Sequence, residues 1–231
     1  MDSCLQCLST VRLPKALLSD STSIPTGFGT NFSADVLERV GQAIFVCKEE
    51  LTQHVTSMII EDQTTKSLRD AVISTPVPLV NISGGKIRLD SAPGHQSLAN
   101  NQARDPVLQQ LKLKVELSQP LNKNGNPQAE NAIGELKREI LNIVSKDDPL
   151  SPSTLALATR TRYLNNRIRS NNRSAWESLT SRDAMTSKPF KQDDAKSLSA
   201  LAERRKMQHV ANEKSNLKSK TRVETSPFYK G

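Results

Sequence analysis

The stretch that decides the fold begins K-I-R-L-D-S-A-P-G-H-Q-S-L at residues 86–98 and ends N-K-N-G-N-P-Q-A-E-N-A-I-G-E-L-K at residues 122–137. Asp90 closes a short apolar run, Ile87 and Leu89, and is followed by Pro93 and Gly94, which read as a turn. A carboxylate at a strand tip, just before a turn, lies where α/β sheets place their chemistry. Glu130 opens a periodic segment in which Ile133, Leu136, Ile140, Ile143 and Val144 recur at threes and fours, so the spacing predicts a helix with one apolar face. Glu130 precedes that face and can point back over the sheet edge. Two acids so placed can share a divalent cation.

A third acid lies upstream. G-T-N-F-S-A-D-V-L carries an alternating run that ends at Asp35. A-I-F-V-C and H-V-T-S-M-I-I then read as the second and third strands of a meander, with strands expected near 27–36, 42–49 and 54–61. A helix is expected near 64–75, with Thr64 and Thr65 available as caps, and Pro76 and Pro78 ending it. Ser83, Gly84 and Gly85 turn the chain into the strand that carries Asp90. A short helix is expected from Asp105 to Leu111, with Pro106 at its first position. Leu113, Val115 and Leu117 alternate with Lys114 and Glu116, the period of a half-buried fifth strand. This order of elements is an α/β layout, and it places Asp35 on a central strand beside the strand of Asp90.

These residues resemble the integrases of gypsy-like LTR retrotransposons, within the retroviral integrase superfamily. The carrying motifs are F-S-A-D around Asp35, L-R-D-A at 68–71, L-D-S-A-P-G at 89–94 and N-P-Q-A-E-N-A-I at 126–133. L-N-N-R-I-R at 164–169 and S-A-W-E at 174–177 follow in the same order. The resemblance implies a ribonuclease H-like core, a mixed five-stranded sheet flanked by helices, and the residues after it read as a helical or extended basic C-terminal tail. It implies Asp35, Asp90 and Glu130 as catalytic metal ligands for two Mg²⁺ or Mn²⁺ ions. It also implies 3′-end processing and strand transfer, double-stranded DNA and a homo-oligomer as partners, and a nuclear location. Ser91 and Gly125 depart from the relatives, which often have Pro and a basic residue there.

Phosphodiester chemistry needs an activated oxygen nucleophile, a stabilised leaving oxygen and neutralised phosphate charge, and two divalent ions provide all three. Mg²⁺ favours hard oxygen ligands, which three carboxylates supply. Taken alone, an Asp ending a strand is more often a turn cap, and a Glu in a first helical turn is favoured by the helix dipole. For DNA contact, Lys137 stands two turns beyond Glu130, while Gly134 occupies the one-turn position where relatives carry a basic residue. Lys123 and Asn124 can approach DNA from the turn-rich loop, and Arg138 is a weaker candidate. His95 reads as a loop histidine.

Composition fits a polyanionic partner. The formal net charge is +8. Acidic and basic side chains nearly balance between Pro25 and Ser145, so the excess lies in the C-terminal half. The arginines at 160, 162, 167, 169 and 173 read equally well as a solvated face or a phosphate-contacting one, beside an apolar stripe of Leu155, Leu157, Tyr163, Leu164 and Ile168. Aromatic content of 3 % is low for a wholly globular chain, so part of the length is expected to be extended. No apolar run is long enough to span a membrane.

The chain divides into residues 1–24, a catalytic core at 25–185 and a basic tail at 186–231. Cys4 and Cys7 form C-L-Q-C, half of a tetrahedral zinc site. The histidines that precede such a pair in the family are absent, so the pair reads as the remnant of a zinc unit and zinc is not expected here. Cys47, in an apolar strand, reads as a buried inert thiol. The C-terminal barrel of the family is also missing, and the chain reads as an integrase trimmed at both ends. Two other readings compete: an inactive or domesticated relic that binds nucleic acid, and an unrelated ribonuclease H-like nuclease.

Overall fold

The computed structural model describes residues 25, 27–118, 125–141, 153–169, 173–189, 199–200, 202–204, 206–207 and 210. Cys4, Cys7, Lys123 and Asn124 lie outside these residues.

The meander forms as expected. Strand β1 (Asn31–Arg39) pairs antiparallel with β2 (Gln42–Glu49), and β2 with β3 (Val55–Ile60). The β1–β2 loop is Val40-Gly41, with φ of 47° and 73°. Two successive positive φ angles make the hairpin turn whose twist matches that of the strands, although Val is a strained choice for it. β1 runs four residues past Asp35. The expected stop is therefore corrected: Asp35 lies within the strand. Val36 and Leu37 are both apolar because both faces of β1 are covered, Val36 packing into one core and Leu37 into the other.

Helix α1 (Thr65–Ser74) starts at Thr64, whose side chain accepts from the Ser67 N–H, and turns back under the sheet. β4 (Gly85–Leu89) then adds parallel to β1, and β5 (Leu113–Leu117) parallel to β4. The order is β3-β2-β1-β4-β5, a mixed five-stranded sheet with β1 at its centre. Between β4 and β5 lie α2 (Pro93–Asn101) and α3 (Pro106–Gln110), the second capped by Asp105. Pro93 and Gly94 are therefore the first turn of a helix and not a loop turn. Proline fits there because its missing N–H has no partner at a helix start. Gly94 is required by close approach, since a Cβ would sit 2.4 Å from the Gln63 carbonyl oxygen.

One core lies on each face. Phe32, Ala34, Phe45, Cys47, Ile87 and Leu89 face α1, α2 and α3. Leu37, Ile44, Val46 and Val55 face α4 (Pro127–Leu141) and α5 (Thr154–Asn166) through Ala132, Leu136, Ile140, Leu157 and Leu164. Cys47 is buried as expected, and burial pushes its thiol pKa up. The buried side of α5 is Leu157, Thr161, Leu164 and Asn165. Leu155, Tyr163 and Ile168 are exposed, which corrects the expected stripe. The polar Thr161 and Asn165 face inward because they bond to β3. A short helix α6 (Ala175–Thr180) follows, closed by a reciprocal Ser174–Glu177 capping box. In the tail, the described residues from 199 to 210 are helical, as expected for part of that segment.

On each edge strand a side-chain amide pairs with the backbone of one residue as a neighbouring strand would. Asn165 accepts from Val55 N–H at 2.8 Å and donates to Val55 C=O at 2.7 Å on β3. Gln102 accepts from Val115 N–H at 2.7 Å and donates to Val115 C=O at 3.2 Å on β5. Pairing of this kind blunts an edge against another chain at that residue.

Candidate functional site

Where β1 and β4 part at the centre of the sheet, two acids stand level. The last paired residues are Ser33 and Arg88. Continuing that register two residues sets Asp90 opposite Asp35. Asp35 shares its parity with Leu37, so it leaves the sheet on the face that α4 covers. Glu130 lies in the first turn of α4, over the same face, and is exposed.

The electrostatics tie the three together. The Asp35 carboxyl is pushed up to about 6, first by burial and then by the negative charges of Asp90 and Glu130. The Val36 N–H, which donates to Asp35 Oδ1 at 2.7 Å, and the nearby His95 oppose that rise. Like charges raise a neighbouring carboxyl only at short range. Asp90 moves the other way. The His95 ring donates from Nδ1 to Asp90 Oδ1, and the Ala92 N–H adds a bond of 3.3 Å, so Asp90 is held below the usual carboxylate range.

As the side chains stand, no group of three or more His, Cys, Asp or Glu among the described residues is close enough to hold a metal ion. Asp35 is turned to its own backbone neighbour and Asp90 to His95. The structure thus sets Asp90 level with Asp35 and Glu130 on the helix over the same face, without converging their oxygens on one point. As hard oxygen donors, the three carboxylates are of the kind a divalent cation takes.

His95 corrects a second reading. It is 1 % exposed on α2, with Nδ1 on Asp90 and its buried Nε2 without a partner among the described residues. The P-G pair suggested a loop, whereas helical spacing from Pro93 would have turned His95 back toward Asp90. Asn126 was missed altogether. It is buried just ahead of α4, and its side-chain amide reaches both β1 and β4.

Lys137 is exposed on α4 two turns beyond Glu130, and Arg138 beside it donates from Nε to the Gly134 carbonyl at 3.2 Å. A Cβ on Gly134 would meet nothing within 4 Å. Several of the arginines proposed as a phosphate face have internal partners. Arg167 pairs with the buried Glu139, and Arg169 lies 3.6 Å from Glu135. Arg160 stacks over the Tyr163 ring at 5.4 Å.

No protein-family model matches the chain, and no curated protein matches it. Solved structures do. The catalytic core domain of BIV integrase aligns with a TM-score of 0.50 at 15 % identity, covering 65 % of this chain and 93 % of that one. A chain of the simian T-cell lymphotropic virus intasome, in complex with PP2A regulatory subunit B56 gamma, aligns with a TM-score of 0.52 at 16 % identity, covering 82 % of this chain and 67 % of that one. At these identities the likeness is one of fold: the chain has the ribonuclease H-like architecture of retroviral integrase cores, a mixed five-stranded sheet flanked by helices.

Proposed function

We propose that this chain is the catalytic core of a DNA-integrating polynucleotidyl transferase of the gypsy-like retrotransposon type, which trims element-DNA ends and joins them to target DNA. One observation carries the proposal: the β1–β4 register sets Asp90 level with Asp35 at the centre of the sheet, and Glu130 stands in the first turn of α4 over the same face. The integrase-core fold supports it.

Asp35, Asp90 and Glu130 would hold Mg²⁺ or Mn²⁺, and a bound ion pair supplies an activated oxygen nucleophile and a stabilised leaving oxygen. The chain's own groups do the rest. His95 fixes one oxygen of Asp90 and leaves the other for a ligand. Glu130, exposed and with three side-chain torsions, closes the set from the helix side. Lys137 and Arg138 offer positive charge to a DNA backbone along α4, and Lys123 and Asn124 are proposed to do so from the preceding loop. Double-stranded DNA, further copies of the chain and a nuclear location follow from the same reading.

A second reading is favoured by the carboxylates' failure to converge: a relic that keeps the fold and binds nucleic acid without chemistry. Nicking and disintegration of branched DNA in Mg²⁺ and Mn²⁺ separate the two. The proposal expects metal-dependent cleavage that Asp90→Asn lowers by at least a hundredfold. A folded sample with no activity in either metal favours the relic, and activity unchanged in Asp90→Asn removes Asp90 from the mechanism.

A further inference from the structure

We infer that Asn126 is the positioning residue that locks the three acid-bearing elements into one unit. The inference rests on the reading of Asp35, Asp90 and Glu130 as a single site, and it goes beyond that reading by naming what holds them in register.

β1 and β4 pair as far as Ser33 and Arg88, and the two acids sit just beyond, where the ladder no longer fixes their spacing. The Asn126 side chain is inserted at that point. Its Nδ2 donates to the carbonyl of Ala34, the residue before Asp35, at 2.9 Å, and to the carbonyl of Arg88, two residues before Asp90, at 3.3 Å. Its own carbonyl accepts the Glu130 N–H at 3.1 Å. One residue therefore bonds directly to the backbone of both strands and of the helix, within two positions of every acid. The two strand contacts belong to the side chain, and the third is the first backbone bond of α4.

Chemistry restricts the position to a primary amide. Two carbonyls need two N–H donors from one small group, and the amide nitrogen supplies both. Facing two carbonyls also sets the amide's orientation, because the flipped form would put oxygen against oxygen. Aspartate has the same shape but no donor, and it would add a fourth negative charge. Asn126 is 4 % exposed, and its Oδ1 has no partner among the described residues. A buried acceptor left unpaired costs about 1–3 kcal/mol. A group kept at that cost is kept for its donors. Pro127 adds stiffness by fixing φ at the first helical position.

A simple structural clamp would raise stability alone, whereas a positioning residue also sets the affinity of the acids for a cation. The test is Mn²⁺ binding to the full chain, read by electron paramagnetic resonance well below the unfolding midpoints. It compares wild type, Asn126→Ala, Asn126→Ser and Ile140→Val, the last a packing change at the far end of α4. Asn126→Ala is expected to weaken Mn²⁺ binding at least tenfold, and Asn126→Ser, which keeps one donor, to weaken it less. Ile140→Val is expected to lower the midpoint and leave affinity unchanged. Without metal, the Glu130 amide is expected to exchange hydrogen at least tenfold faster in Asn126→Ala. Should Asn126→Ala not fold, Asn126→Ser decides on the same two readouts. Wild-type Mn²⁺ affinity and Glu130 exchange in the variants overturn the inference and leave the three-acid site standing. A wild-type chain that binds no Mn²⁺ overturns the three-acid reading, and this inference with it.

Discussion

The imidazole of His95, on the first turn of α2, donates from Nδ1 to the carboxylate of Asp90 at the end of β4. The contact joins a buried ring to a half-exposed acid. It makes Asp90 the more readily ionised member of its pair with Asp35, whose carboxyl moves the opposite way.

Replacing that donor has a direction that can be measured. In His95→Ala, Asp90 loses its strongest stabilising contact, so its carboxyl titrates at higher pH. Carbon-detected NMR of the side-chain carboxyl reads that change. A depressed folded pKa contributes stability that is present above the unfolded value and lost as pH falls through the folded one. His95→Ala therefore removes part of the wild type's destabilisation in acid. An unmoved Asp90 titration would show that the ring contributes packing alone.

The edge caps test the sheet. Asn165→Leu strips both partners from the Val55 backbone and is expected to destabilise the fold by about 2–4 kcal/mol in urea unfolding. Gln102→Leu, at the more open edge, is expected to do less by the same measurement. Each variant frees one N–H and one C=O on an edge strand, so both should aggregate faster on partial unfolding.

His54 makes stability depend on pH. Burial, aided by the Arg169 charge, pulls its pKa down to about 4 from an ordinary 6.5. Asn165 Nδ2 lies 3.2 Å from its Nε2. The unfolded chain takes up a proton first, so the contribution is complete above pH 6.5 and is lost as pH falls toward 4. The full loss is about 3 kcal/mol. Urea midpoints measured across that window should fall in wild type and flatten in His54→Gln.

Gly134 lies one turn past Glu130, with open space where a Cβ would sit. Gly134→Lys is expected to stabilise α4 by about 1 kcal/mol through helix propensity. If α4 faces DNA, the same change tightens DNA binding and steepens its salt dependence by about one phosphate contact. A gain in melting temperature with no change in the salt slope would place DNA elsewhere.

Much of this architecture is legible from residue order. The run from Ala43 to Cys47 reads as a strand because it is apolar on both faces, and both faces of β2 are buried. Thr64 and Asp105 mark helix starts by their cap chemistry, whereas the start expected at Pro152 begins only at Thr154, capped by Ser153. The length of β1 was less legible, because Val36 and Leu37 break alternation when each feeds a different core. His95 was hidden by a Pro-Gly pair that serves a helix start packed tightly on Gln63. Asn126 opens the N-P-Q-A-E motif, but its bridging role had no local signal: its partners lie 92 and 38 residues away, and only the folded sheet brings them together.

The central claim is that Asp35, Asp90 and Glu130 turn toward a common cation. Anomalous diffraction from crystals soaked in Mn²⁺ tests it most directly. The expected result is a Mn²⁺ peak at about 2.1 Å from carboxylate oxygens of Asp35 and Asp90, with Glu130 swung in to meet it. Mn²⁺ absent from that pocket at saturating concentration, with Asp90 still on His95 and Glu130 still turned to solvent, would contradict the account.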